Sequence, residues 1–226
     1  MKPLTIFVQF ISVLGVIVIF FYHKLAGKLP IFRKQPPPAR YEATEKDKDK
    51  IDKLWVYRYQ NIPNKFFGHG CVEKFDHYIS GVSKIEINTL EELCDWLLGC
   101  RYIPDPVKKG VRDHWSHPDE FEYERSGDCE DYALWTWRKL KEMKYRAEFT
   151  VGKWVHADGR IGTHAWVVVY QGNETYVLET TGKSRERIIK PIKQAKFEYI
   201  PFAAVDTQLR KKVYNGIIHW LKILAG

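Results

Sequence analysis

An α+β fold, with helices packed on an antiparallel sheet, is what this sequence predicts beyond an amino-terminal membrane segment. Three observations carry the prediction. Two helix starts come first, at Thr89 and Asp128. After Phe149 the apolar period changes to two. Two glycine turns, Ala157-Asp158-Gly159-Arg160 and Gln171-Gly172-Asn173-Glu174, then join the strands as hairpins. Helices followed by strands is the order of an α+β arrangement.

The elements follow in order. Residues 4–22 are uncharged and almost wholly apolar, interrupted by Thr5, Gln9 and Ser12. At about 1.5 Å per residue this run just crosses a hydrocarbon core of roughly 30 Å. It is longer than a signal-peptide core, and Tyr22, His23 and Lys24 follow it instead of a small-x-small cleavage site, so residues 1–24 read as an uncleaved single-pass anchor. Five basic side chains follow the span by Arg40, which favours the cytoplasmic side for the carboxyl-terminal bulk. Four cysteines without a CxxC pattern suit a reducing compartment. Residues 25–50, with Pro36-Pro37-Pro38 and the charged run Glu45–Lys50, read as a tether.

The folded domain is expected over 51–206. Thr89-Leu90-Glu91-Glu92 is a capping box, and Gly99 stops its helix. A second helix runs from Asp128 to about Met143. Strands are expected over Phe149–Val155, His164–Tyr170, Thr175–Thr180 and Phe197–Val205, the first three as a meander. Residues 207–226 read as an amphipathic helix with Val213, Ile217, Leu221 and Leu224 on one face beside exposed Arg210, Lys211 and Lys212.

Charge and composition exclude several functions. The chain has 226 residues, 45% hydrophobic and 15% aromatic, too apolar for disorder. Its net charge of +8 is concentrated in residues 1–40, which hold six basic and no acidic side chains; the remainder is nearly balanced. The basicity flanks the membrane segment, and a nucleic-acid groove is not supported. Phosphate-binding and dinucleotide-binding glycine loops and the H-E-x-x-H pattern are missing. His69 and Cys71 with His77, and His114 with His117, lack zinc-finger spacing.

One cysteine stands apart. Cys129, in Ser126-Gly127-Asp128-Cys129-Glu130-Asp131, opens a helix, where the dipole and unpaired N–H groups favour thiolate and could hold an oxyanion. The acidic neighbours oppose this unless they point away, cap the helix or bind a cation. With a four-residue turn at Gln171–Glu174, His164 faces residue 181, and Glu179 lies one pleat pair away on the same face. Glu179 could then hold imidazole Nδ1–H while Nε2 faces the thiol. Trp115, whose indole N–H only donates, is a candidate second oxyanion donor beside its packing role.

GDCEDYA, HAWVVVY and YVLETT, with the lead-in residues Arg101–Asp105 and Asp113–Glu120, resemble the transglutaminase-like superfamily over roughly residues 90–185, closest in motif to bacterial transglutaminase-like cysteine proteinases. The resemblance implies a transglutaminase/papain-like core with Cys129 as nucleophile, His164 as general base and acid, and Glu179 as orienting carboxylate. Many relatives carry Asp at that third position. It also implies a peptidase cleaving a protein or peptide near the membrane through a thioester. Acyl transfer by the same triad, as in a transglutaminase or deamidase, and a non-catalytic anchored binding module are the alternatives. No cofactor is required by this chemistry, but some such proteinases need calcium, making Asp128, Glu130 and Asp131 candidate calcium ligands.

Overall fold

The central strand forms where the sequence can bury both faces. In β4 (Arg146–Val155) Ala147, Phe149 and Val151 enter one core, while Thr150 and Glu148 are buried on the other side. β5 (Ile161–Gln171) alternates likewise: Ala165, Val167 and Val169 face the first core, Trp166 and Val168 the second. The computed structural model describes residues 44–156 and 158–225, and Thr44–Gly226 forms a compact unit by itself. The expected anchor over residues 1–24 and the tether as far as residue 43 lie outside the described residues. Among the described residues no helix is long and apolar enough to cross a membrane.

The chain begins with α1 (Glu45–Leu54), β1 (Tyr57–Tyr59), α2 (Phe75–Ile79) and α3 (Leu90–Leu98). β2 (Arg101–Tyr102), α4 (Asp105–Lys108), α5 (Pro118–Glu124) and β3 (Ser126–Gly127) lead into α6 (Cys129–Glu142). After β4 and β5 come β6 (Glu174–Leu178), α7 (Arg185–Ile188), β7 (Ile189–Pro191), α8 (Ile192–Ala195), β8 (Tyr199–Asp206), β9 (Lys211–Tyr214) and α9 (Asn215–Ala225). The seven-stranded antiparallel sheet has the order β1-β9-β8-β4-β5-β6-β7. This is the α+β architecture, with α6 packed on β4 and β5.

Where the local pattern is strong, structure and expectation coincide. Thr89 caps α3 through the Glu92 amide, while the Glu92 carboxylate reaches back to the Asn88 amide. α6 begins at Cys129 with Asp128 as its cap in a reciprocal box with Asp131. The tight turn at Gly172, φ 58°, pairs Gln171 with Glu174, and the register runs on to Val167 opposite Leu178.

Four expectations are corrected. The charged run at the end of the tether is helical: Thr44 and Asp47 form a capping box, Lys48–Glu45 and Lys53–Asp49 pair along the helix, and Ile51, Leu54 and Trp55 pack on the second core. The sheet is more than a meander, because β8 crosses to the free edge of β4. The tail is not one helix from 207. Residues 211–214 form β9 between β8 and β1, and α9 starts only at Asn215. Lys211 and Lys212 are not free at the surface. Lys212 is 3% exposed and paired with Glu148, whose carboxylate also accepts from Tyr170 and Tyr214; Lys211 donates to Ile62 O and Asn64 Oδ1. A short parallel pairing of β2 with β3, absent from the sequence reading, fixes the approach to Cys129.

Candidate functional site

Two strands and a helix start deliver the three candidate residues. β5 carries His164, 8% exposed, and Glu179, 5% exposed, follows directly after β6. His164 Nε2 and Glu179 Oε2 are 2.7 Å apart. The ring is therefore turned the other way from the sequence expectation: Nε2 meets the carboxylate and Nδ1 is left for other work. Glu179 is held by more than the histidine. The Tyr199 hydroxyl donates to the same Oε2 at 2.8 Å, and the Thr181 hydroxyl and amide donate to Oε1 at 2.6 and 3.2 Å. Burial raises its pKa, but the facing imidazole and these donors outweigh that and bring it down to about 2. Glu179 is an ionised carboxylate inside the protein. Trp154 and Trp166 stand on either side of the imidazole, with ring centroids 5.3 and 6.3 Å from it.

Cys129 sits at the first turn of α6, where the backbone N–H of Ala165, next to His164, lowers the thiol pKa slightly against larger opposing effects. It is half-buried, whereas Cys71, Cys94 and Cys100 are buried. Its thiol hydrogen bond goes to Glu130 Oε2 at 3.1 Å rather than to His164. Burial of the sulfur, then the charges of Glu130 and Asp128, hold the thiol well above its ordinary value. The acidic neighbours thus do not point away, and the resting site is a thiol. Cys71 is pushed up to about 12 and Cys94 to about 11, both chiefly by burial, and Cys100 is raised for the same reason. These three pack in the main core.

The acidic residues around Cys129 gather two that sequence reasoning had not placed. Ligand oxygens of Asp105, Asp128 and Asp131 lie within 4.8 Å of one another, as do those of Asp105, Asp113 and Glu130. So Asp128 and Asp131 converge, while Glu130 joins them through Asp105. The lead-in segments named above contain both Asp105 and Asp113, but nothing in their spacing marks a ligand. Asp131 accepts from the amides of Ser116 (2.9 Å) and Asp128 (3.4 Å), and burial raises it to about 7. Burial and mutual repulsion likewise raise Asp128 and Glu130. Oδ1 of Asp105 and of Asp128 is buried without a partner. Lys108, whose charge acts on Asp131, is committed to Glu124 and the Ser126 carbonyl. Buried, crowded carboxylate oxygens with no countercharge are what a hard cation such as calcium suits.

Other candidates resolve differently. The Trp115 indole donates to Asp113 Oδ1 at 3.1 Å, and its ring packs on Phe75 and Phe149, so its donor is not free for an oxyanion. His117 Nε2 meets the His77 carbonyl oxygen, and among the described residues the groups able to hold a metal contain carboxylates alone. The sequence reading missed Tyr199 and Thr181 as partners of the Glu179 carboxylate; a two-residue offset from Glu179 hints at Thr181, and no local signal marks Tyr199.

No known family profile matches the chain, and no curated protein matches it. Solved structures similar to it include Legionella pneumophila LapG, at 19% identity and TM-score 0.39, covering 52% of this chain and 64% of that one. The calcium-bound form of Legionella pneumophila LapG gives 20% identity and TM-score 0.41, covering 71% and 84%. A candidate cysteine protease from Cytophaga hutchinsonii gives 15% identity and TM-score 0.34, covering 74% and 58%. The chemical case rests on the side chains above.

Proposed function

We propose that the chain is a membrane-anchored thiol hydrolase of transglutaminase-like type, a cysteine peptidase acting on a protein or peptide amide. The observation that carries this reading is the buried His164–Glu179 pair, 2.7 Å between nitrogen and oxygen, on the strand against which the helix opened by Cys129 packs. In this mechanism His164 takes the thiol proton at Nδ1 while Glu179 steadies the imidazolium through Nε2. The thiolate attacks the amide carbonyl, and the Cys129 amide at the start of α6 holds the oxyanion. The C–N bond then breaks, His164 returns its proton to the leaving amine, and Cys129 keeps the acyl group as a thioester. Water deprotonated by His164 hydrolyses the thioester, giving the acid and restoring the thiol.

A cation fits the cluster, and Asp105, Asp113, Asp128, Glu130 and Asp131 would hold it. Bound there, calcium supplies positive charge that offsets the carboxylates opposing thiolate formation. The second reading, a non-catalytic anchored module, is favoured by one observation: the Cys129 thiol is tied to Glu130.

A pH series of iodoacetamide labelling, read cysteine by cysteine in the wild type, Cys129→Ala and His164→Ala, with calcium and with chelator, separates the two readings. Fast labelling of Cys129 below pH 8 that needs His164 is expected in calcium, and slower labelling in chelator. Equal labelling of all four cysteines only at high pH would leave the binding module. Peptide and amine libraries then distinguish hydrolysis from acyl transfer by the product, an acid or an amide. The hydropathy of residues 4–22 and the basic side chains after it support the anchor and a cytoplasmic domain, which protease protection of sealed vesicles tests.

A further inference from the structure

Strand β5 is longer than the strand that covers its outer side. β4 pairs with it from Tyr170 to Ile161, but β6 pairs only from Gln171 back to Val167. The chain then leaves the ladder, and the Glu179 amide donates to the Ile188 carbonyl. Among the described residues no strand lies on the β6 side of residues 161–166. Ile161 and Thr163 are exposed there, next to the buried His164. The hydrogen-bond phase of the ladder decides what this edge offers. The His156 amide donates to the Arg160 carbonyl at 2.8 Å, so Arg160 faces β4, while the Val155 amide turns away to Glu198 O at 2.7 Å. Such residues alternate along an antiparallel pair. Gly162 and His164 therefore turn N–H and C=O to β4, and Ile161, Thr163 and Ala165 turn theirs to the open side. The action of the Ala165 N–H on the Cys129 thiol agrees with that phase. Thr163 and Ile161, next along, each present a donor and an acceptor at the two-residue spacing of an extended chain.

Free strand edges are ordinarily blunted. β1, at one end of the sheet, is three residues long with Arg58 at its centre; β7, at the other, carries Lys190 and ends in Pro191. Residues 161–163, Ile-Gly-Thr, have no charge, proline or bulge. Gly162 also leaves the His164 face of this edge bare. Its φ lies outside the left-handed region, and a Cβ there would meet one atom, His156 Nε2 at 4.0 Å. Neither a turn nor crowding within the chain calls for glycine. A glycine inside a strand often marks where another backbone approaches.

We propose that residues 161–163 bind the substrate as an added β-strand, main chain to main chain, with Gly162 leaving room for the substrate side chain opposite it. This rests on the thiol-hydrolase reading above and narrows its substrate to a peptide that is extended on one side of the scissile amide. Continuity with the site selects this occupant. An amide carbonyl held between Cys129 and His164 lies at the Ala165 end of the edge, so the chain on one side of it runs past Thr163 and Ile161. A helix cannot fill the edge, because its N–H and C=O groups are already paired within it. The side chain opposite Gly162 stands beside His156, whose ring lies 3.8 Å from that of Trp154, so an apolar or aromatic residue is favoured there.

Short peptides of mixed sequence with a central epoxysuccinyl unit, whose ring carbon the Cys129 thiolate attacks, test this on the full chain in calcium. The capped epoxysuccinyl unit without residues is the reference. The fastest peptide should label Cys129 severalfold faster than the reference. Remade with each amide N-methylated in turn, it should slow about tenfold at alternate amides on one side, the loss of one main-chain hydrogen bond, and keep its rate at the amides between. Gly162→Leu should slow the peptide severalfold relative to the reference. If that variant does not fold, diazirine-bearing versions of the peptide should insert into residues 161–163 of the wild type. No gain over the reference, a penalty without alternation, an unmoved rate in folded Gly162→Leu, or insertion elsewhere overturns the edge and leaves the thiol reading standing. A Cys129 that the reference labels no faster than Cys71, Cys94 and Cys100 overturns that reading and the edge together.

Discussion

Cys129 and Glu130 are adjacent in the chain, and neighbouring side chains on a helix diverge by about 100°. At the first turn of α6 the Glu130 carboxylate nevertheless reaches the Cys129 sulfur, 3.1 Å away. It opposes the helix dipole that would otherwise favour thiolate. Glu130→Gln removes that charge, so in chelator the Cys129 labelling rate at pH 7 should rise, by about tenfold for each pKa unit the thiol falls. An unchanged rate would show that burial alone sets the thiol. Glu179 gives the clearest pH effect. Its folded pKa of about 2 lies below the ordinary 4.5. It therefore contributes stability above pH 4.5, about 3 kcal/mol in order of magnitude, and loses it as pH falls toward 2. Tyr199→Phe removes one donor to its Oε2, and the acid unfolding midpoint should move to higher pH. Denaturant unfolding at stepped pH measures both the wild-type loss and the shift.

At the scale of elements, His164 owes its position to a glycine across the ladder. Gly152 of β4 is the register partner of His164, and the β4–β8 register slips between Val151 and Gly152. A Cβ on Gly152 would stand 2.1 Å from the Ile200 carbonyl oxygen and 2.8 Å from the Trp166 ring. Backbone cannot yield cheaply there, so Gly152→Ala should destabilise the protein by about 1–3 kcal/mol. It should also slow His164-dependent labelling of Cys129. Thermal unfolding checks the first outcome and iodoacetamide kinetics the second. The local elements were largely legible. Thr89 and Asp128 as caps, Gly99 as a stop and Gly172 as a turn are set by residues within four positions, and these signals placed α3, α6 and the β5–β6 register. The crossing of β8 to β4, the strand at Lys211–Tyr214 and helix α1 were not legible, because their apolar faces are completed by residues far along the chain, as Trp55 is by Tyr214.

For the whole molecule, the acidic cluster acts on stability in the opposite sense to Glu179. Asp131 has a folded pKa of about 7 against an ordinary 3.8, and Asp128 and Glu130 move in the same direction. A raised carboxylate contributes stability that is present below its unfolded pKa and lost as pH rises through the folded value. Without a divalent cation the protein should therefore be less stable at pH 8 than at pH 5. Calcium at a hundredfold excess over its dissociation constant should add about 2.7 kcal/mol, and its effect should be larger at pH 8, where the ligands are ionised. Calorimetry at the two pH values, with calcium and with chelator, measures this; equal midpoints in all four conditions would remove the cation from the site.

By itself the sequence determined that Cys129 opens a helix, that this helix leads into the β4–β6 hairpins, and that His164 and Glu179 can share one face of a hairpin. Each of these follows from period, cap or turn chemistry within a few residues. Tertiary structure alone decided which imidazole nitrogen meets Glu179, that Tyr199 shares its carboxylate, and that Asp105 and Asp113 join Asp128, Glu130 and Asp131. The physical reason is the same in each case. Burial and Coulomb interactions depend on distance in space, and that distance is set by packing between segments tens of residues apart.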